Sequence, residues 1–357
     1  MYHFFLHNGA VDSLERVKAA GMLPGEDNVP LRFTYTGIQA VDNFCIEVVI
    51  GFWPLSRGTL SAHSLYCVLL FFTAIIPAWI LFFLQSAQRS TPLQAAWRTC
   101  LLAVIAQIIG PGVFFPMYTA WDLFMGPHSN VPIAGSTLHF SQITIPVSLM
   151  LGGVLPALTL LLPSPSWMTY DTKQYLIVVI QLWPVLVSTV IQILGPLRTA
   201  AQERPHRKSH HGSLYRFALT CASVSHLGVY TVAAASVIFP THFGRALSAD
   251  IHPFRLMLPV LPWSGTRTDS VEEGVFWLLQ WDYAVASVSV LLWAVEHFFR
   301  EKWRRVEKVD WTSFALNLFI RVVFCGPCGA AVQLMWAREN ILQRDDGDFE
   351  GEKRPVA

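Results

Sequence analysis

Residues Ser64–Gln85 read SLYCVLLFFTAIIPAWILFFLQ, an uninterrupted run without a charge. At 1.5 Å per residue a helix of this length rises about 33 Å, enough to cross a hydrocarbon core of about 30 Å. Seven further stretches follow the same pattern: about 36–53 (the least hydrophobic), 99–119, 139–162, 174–196, 213–239, 274–299 and 311–336. Short polar segments separate them. The predicted fold is all-α, a polytopic membrane bundle of about eight transmembrane helices. Residues 1–35 form a polar N-terminal segment, 36–336 the transmembrane helical domain and 337–357 a charged C-terminal tail.

Composition points the same way. The chain is 53% hydrophobic and 14% charged, where a soluble domain carries roughly a quarter charged residues. Mean hydropathy is +0.43. A soluble enzyme of this make-up would expose too much apolar surface, and a disordered chain would be far more polar. A net charge of +1 supplies no field to attract nucleic acid. The first 35 residues, with Asp12, Glu15, Arg16 and Lys18, are too polar for a cleaved signal peptide. The 13 tryptophans exceed what an interfacial belt needs, so some are expected inside the bundle.

Eight crossings put both termini on one side, A. Lys and Arg are more numerous there, yet the densest short clusters fall on side B: Arg204, Arg207 and Lys208, then Arg300, Lys302, Arg304, Arg305 and Lys308. Short loops weigh more in the positive-inside rule, so the orientation leans to B as cytosolic. The expected location is an endomembrane such as the endoplasmic reticulum.

Ionisable groups inside spans are costly and therefore informative. On the eight-span layout Asp42 and Glu47 lie about 9 and 16 Å below side A, and Asp282 about 12 Å below it. These three are expected to share one cavity, with the 240–273 loop and its His252-Pro253-Phe254-Arg255 as a lid. Asp122 emerges on side B. Glu296, about 21 Å along the helix from Asp282, is expected to snorkel beside Arg300. Bland readings stand beside these: interfacial polarity for Asp42 and Glu47, an ion pair with Arg255 or Arg267 for Asp282, a cap or anchor for Trp121-Asp122. Arg321 is expected to pair with a buried carboxylate or span-end carbonyls. Cys325-Gly326-Pro327-Cys328 has dithiol spacing but interrupts an apolar span, which favours packing and a kink over redox chemistry.

The chain has no Asp-Asp-x-x-Asp run for magnesium diphosphate, no di-iron histidine series, no Gly-x-Ser-x-Gly, no phosphate loop and no dinucleotide fingerprint. Buried carboxylates, aromatics and no cofactor motif remain. Burial favours the protonated form of a carboxylic acid, which can then donate. A lipid-soluble polyene or its epoxide, protonated in this way, would cyclise through carbocations stabilised by aromatic faces. Such a reaction calls for no cofactor and no metal.

Several short motifs carry a resemblance: Leu31-Arg32-Phe33-Thr34-Tyr35-Thr36-Gly37-Ile38 with Val41-Asp42-Asn43-Phe44, Trp121-Asp122-Leu123-Phe124, His252-Pro253-Phe254-Arg255, and Leu279-Gln280-Trp281-Asp282-Tyr283. Together with length and layout, they make the chain resemble the fungal integral-membrane terpene cyclases of meroterpenoid biosynthesis, nearest the branch of ascofuranone, ascochlorin and macrophorin. The resemblance implies cyclisation of a farnesyl chain on an aromatic or polyketide core, begun by an acidic residue without metal. The partners are then a hydrophobic prenylated substrate and membrane lipids. The catalytic candidates are Asp282, Glu47, Asp42 and Asp122, with Asp282 or Glu47 first as proton donor and Asp42 and His252 for relay or deprotonation. Trp281, Tyr283 and Trp277 are expected to stabilise cations, and His252, Arg255 and Trp121 to line the substrate. Two rivals are a polytopic transporter or lipid-ligand-binding protein, with carboxylates for ion coupling, and a membrane isomerase or acyltransferase using His139.

Overall fold

A computed structural model describes residues 8–25, 28–88, 90–125, 141–199, 212–305 and 309–352. Among them every regular element is helical, and the one strand-like pairing is the isolated bridge Met22–Pro30. In chain order the helices are α1 (Ala10–Ala20), α2 (Gln39–Phe52), α3 (Ala62–Ala87), α4 (Pro92–Ile109), α5 (Pro111–Met125) and α6 (Ser141–Leu149, continuing to Thr159). Then come α7 (Tyr170–Ile180), α8 (Trp183–Thr199), α9 (Gly212–Ile238), three short helices α10 (Pro240–Phe243), α11 (Arg245–Asp250) and α12 (Pro253–Met257), α13 (Val271–Arg304) and α14 (Trp311–Glu352).

Local chemistry explains the boundaries. Ser61 and Ser64 form a reciprocal capping box at the start of α3, and Thr91 and Gln94 do so at α4, where Pro92 takes the first helical turn. A proline inside a helix clashes with the carbonyl four residues earlier. In α3 the carbonyl four before Pro77 lies in a wider π-helical stretch, Leu69–Ile75, and in α6 the one before Pro156 lies in another, Met150–Val154. The same local device carries both helices past a proline.

Among the described residues, four helices are long and apolar enough to cross a membrane: Ala62–Ala87, Gly212–Ile238, Val271–Arg304 and Trp311–Leu342. The pair Tyr170–Ile180 and Trp183–Leu194, bent by 68°, makes a fifth if counted as one crossing. This criterion does not reach the expected count of about eight. The stretch near 36–53 becomes α2, whose 14 residues rise only about 21 Å. The apolar helices Leu93–Ile109 and Ile143–Thr159 are shorter than a full span.

The chain divides into two compact units. The first takes Met1–Leu70, Ser148–Val187 and Val229–Asp282, and the second takes Phe71–Val147, Ser188–Gly228 and Tyr283–Ala357. In the first unit, α2 packs on α1 and α7 through Ile46, Val49 and Ile50, joined by Leu23, Leu31, Trp53, Ile177 and Val271. Gly274 of α13 lies so close to α1 that an added Cβ would stand 2.4 Å from Ala10 Cβ. In the second unit, the apolar run Ile76–Leu84 is buried on all sides, and α3 packs against α4 and α14. That all-round burial is why this stretch has no polar face.

Candidate functional site

In the first unit, the 31–38 motif straps onto α7. Gln174 Oε1 accepts from Arg32 N at 2.9 Å, and Gln174 Nε2 donates to Pro30 O at 3.0 Å. Arg32 also pairs with Asp171 at 2.6 Å and lies 4.3 Å over the Tyr175 ring. Asp42 closes the strap. Its carboxylate accepts from Thr36 N at 2.7 Å, Thr36 Oγ1 at 2.8 Å, and the amides of Tyr35 and Gly37 at 3.1 Å each. The Thr36 amide first, with these other donors, holds the Asp42 carboxyl below its usual range. An acid held ionised is a poor proton donor, so Asp42 acts here as a loop clasp.

Glu47 differs from its expected position. It is exposed and pairs with Lys18 of α1 at 2.9 Å. The physical reason is the short α2, whose packed face is Ile46, Val49, Ile50 and Trp53, so Glu47 turns outward. The expected three-carboxylate cavity loses Glu47 to the surface and Asp42 to the strap. Asp282 remains buried, at 5% exposure.

The connector of α10–α12 lies along the start of α13. Arg255 pairs with Glu273 at 2.6 Å and Asp250 at 3.4 Å, and its guanidinium stands 5.2 Å from the Phe276 ring centre. Gln280 Nε2 donates to Arg255 O at 2.7 Å, and Trp281 Nε1 donates to Val260 O at 2.9 Å. Trp277 Nε1 donates to Glu273 Oε1 at 2.8 Å. His252 caps α12, its Nδ1 accepting from Phe254 N at 3.3 Å. Arg255, His252, Trp277 and Trp281 thus gather around one connector.

The second unit holds a buried polar group around Asp122. Asp122, 3% exposed on α5, receives Trp293 Nε1 at 2.9 Å, and His297 Nε2 stands at 3.2 Å from the same oxygen, Oδ2. Aromatic rings pack behind Trp293: Phe82 stands edge-on against it and in turn against Phe115 and Tyr118. Trp293 and His297 are four apart on α13 and so share a face. Neither was among the expected site residues. The available signal was a histidine within the apolar 274–299 run, one turn beyond a tryptophan.

The remaining expectations separate. Trp121 is 58% exposed, and its ring centre stands 6.2 Å from that of Tyr118. Tyr283 is buried, and a Cβ added to Gly326 would lie 3.2 Å from its hydroxyl and 3.1 Å from His226 Nδ1. Gly326 breaks α14 at φ 70°, the expected kink, and Cys325 and Cys328 are buried free thiols. Glu296 pairs with Arg300 at 2.8 Å at a partly exposed site, as snorkelling requires. Arg321 makes no ion pair among the described residues. His139 lies outside them. No three His, Cys, Asp or Glu side chains gather as a metal-ligand set among the described residues.

Comparison with known proteins extends over nearly the whole chain. The CtvD domain matches residues 1–343. Terpene cyclase penA of Penicillium crustosum is 30% identical over 347 residues, covering 96% of this chain and 93% of its own. Terpene cyclase janA of Penicillium janthinellum is 31% identical, covering 93% and 88%. Terpene cyclase ascI of Acremonium egyptiacum is 24% identical, covering 89% and 82%. No solved structure matches. By the extent of the domain match and the identity to these relatives, the chain belongs to the CtvD-domain family.

Proposed function

We propose that this chain is a membrane-embedded terpene cyclase that protonates the epoxide or alkene of a farnesylated aromatic or polyketide substrate, with Asp122 as the acid and no metal. The observation that carries the reading is the Asp122 carboxyl group, buried beside Trp293, which packs on the Phe82 ring, and addressed by two nitrogen groups on one oxygen. The family relationship supplies the reaction class.

The carboxylic O–H gives its proton to the epoxide oxygen, a C–O bond breaks, and a tertiary cation with a new hydroxyl forms. Alkene π electrons then close rings, and loss of one proton from carbon ends the cascade. With Trp293 and His297 directed at Oδ2, the proton delivered is carried on Oδ1. The charge left on Asp122 develops where hydrogen-bond donors already point, which lowers the barrier. Aromatic faces stabilise the cation. The shorter apolar helices α4 and α6 are assigned as further membrane segments of an endomembrane protein.

The test is expression in microsomes with a panel of farnesylated phenols and their epoxides, read by mass spectrometry. The parent chain gives cyclised isomers of unchanged mass. Asp122→Asn, which keeps the shape and an acceptor for Trp293, lowers their formation by about 10²- to 10⁴-fold. Full product formation by a folded Asp122→Asn removes Asp122 from the role of acid.

A further inference from the structure

An acid that gives its proton in every turnover must be reloaded, and Asp122 is buried. The route by which a proton reaches it is therefore part of the site. Within the second unit, α13 continues from His297 to a second buried carboxylate, Glu301, one turn further on. Glu301 is 5% exposed. Its oxygens stand 3.9 Å from Arg304 Nη1 and 3.7 Å from Arg305 Nε, and the Arg304 side chain is 49% exposed. The side chains of Asp122, His297 and Glu301 are 1%, 12% and 6% exposed, and Arg304 marks the polar end of the helix.

We propose that His297 and Glu301 form a proton relay that restores the acid form of Asp122 from the polar end of α13. This rests on the reading of Asp122 as the acid. The proton passes from water at the Arg304–Arg305 end to Glu301, from Glu301 to the His297 imidazole, and from His297 across the 3.2 Å contact to Oδ2 of the Asp122 carboxylate, whose half-turn about Cβ–Cγ then carries the new O–H to the Oδ1 position. The substrate releases one proton at ring closure, so each cycle takes up one proton and gives back one. No oxidant, reductant or second substrate enters.

Arg300, whose Nη1 donates to Leu123 O at 3.3 Å, ties α13 to the residue after Asp122. Arg338, buried on α14, interacts electrostatically with both His297 and Glu301. The groups facing His297 are therefore Asp122 from α5, Arg300 from its own helix and Arg338 from α14. The positive charge of Arg338 keeps Glu301 compatible with burial. A carboxylate needed only to neutralise Arg304 and Arg305 would sit as well at the exposed surface, where Glu296 pairs with Arg300.

The experiment separates reloading from chemistry. Glu301→Gln in the full chain is assayed in detergent with a farnesyl-phenol epoxide that the parent converts. Two regimes are compared: enzyme in excess for a single turnover, and substrate in excess for steady state. A relay predicts a first turnover within about twofold of the parent, and a steady-state rate lower by about tenfold or more. Added formic or acetic acid should restore much of that loss, and Glu301→Asp should fall between. An unchanged steady-state rate overturns the relay, as does an equal loss in both regimes without rescue. If Glu301→Gln does not fold, Glu301→Asp must show the smaller split and the rescue by acid, and its absence overturns the proposal. Failure of the underlying reading is distinct: Asp122→Asn would then keep turnover in both regimes.

Discussion

His297 Nε2 stands 3.2 Å from Asp122 Oδ2, although 175 residues separate them in the chain. The contact joins the end of α5 to the second half of α13, and Trp293 Nε1 reaches the same carboxylate oxygen from one turn earlier. Three polar groups thereby meet inside apolar helices, where each alone would be costly.

Trp293→Phe keeps the ring against Phe82 but removes the N–H that reaches Asp122. A hydrogen bond to a charged acceptor is worth about 1.5–3 kcal/mol. If that bond strengthens as Asp122 gives up its proton, kcat falls by about tenfold or more while KM stays near the parent value. Steady-state kinetics on the purified variant, with its melting temperature alongside, checks this.

Asp42→Asn tests the clasp. The folded carboxyl titrates below its unfolded value, so its contribution to stability is complete above the unfolded pKa, about 3.9, and is lost as pH falls through the folded value. The parent should lose stability on acidification through this window, and Asp42→Asn should lose less. Product formation per folded molecule should be unchanged at neutral pH. Melting curves between about pH 3 and pH 7 give the comparison.

Arg255→Met removes both ion pairs that tie the connector to its neighbours. All three groups are partly exposed, so the pairs contribute only about 0–1 kcal/mol to global stability. The melting temperature should barely move. Local opening should rise, and limited proteolysis should cut residues 244–265 several-fold faster, because loops are held by few contacts.

Gly326→Ala places a Cβ on a backbone at φ 70°, within 3.1 Å of His226 Nδ1. The expected cost exceeds about 1 kcal/mol. Gly228→Ala on α9 meets nothing within 4 Å and should be neutral or stabilising by up to about 1 kcal/mol. Melting temperatures of the two variants in detergent should move apart.

The candidate site was legible only in part. The buried Asp282, the kink at Gly326 and the partly exposed Glu296 followed from reading each residue in its own segment. Glu47 did not, because its depth was inferred from a crossing at 36–53, and a 14-residue α2 packed on α1 and α7 turns it to the surface instead. His297 was passed over because a histidine in an apolar run has no partner until its neighbours are known.

The all-helical class, the membrane setting and the absence of common cofactor motifs were determined by sequence alone. Each is written in local runs: uncharged lengths near a membrane thickness, proline positions and short motifs. Only the tertiary structure decided which carboxylates are buried together with donors. That outcome depends on which helix faces meet, and those contacts join residues far apart in the chain through packing that no local pattern records.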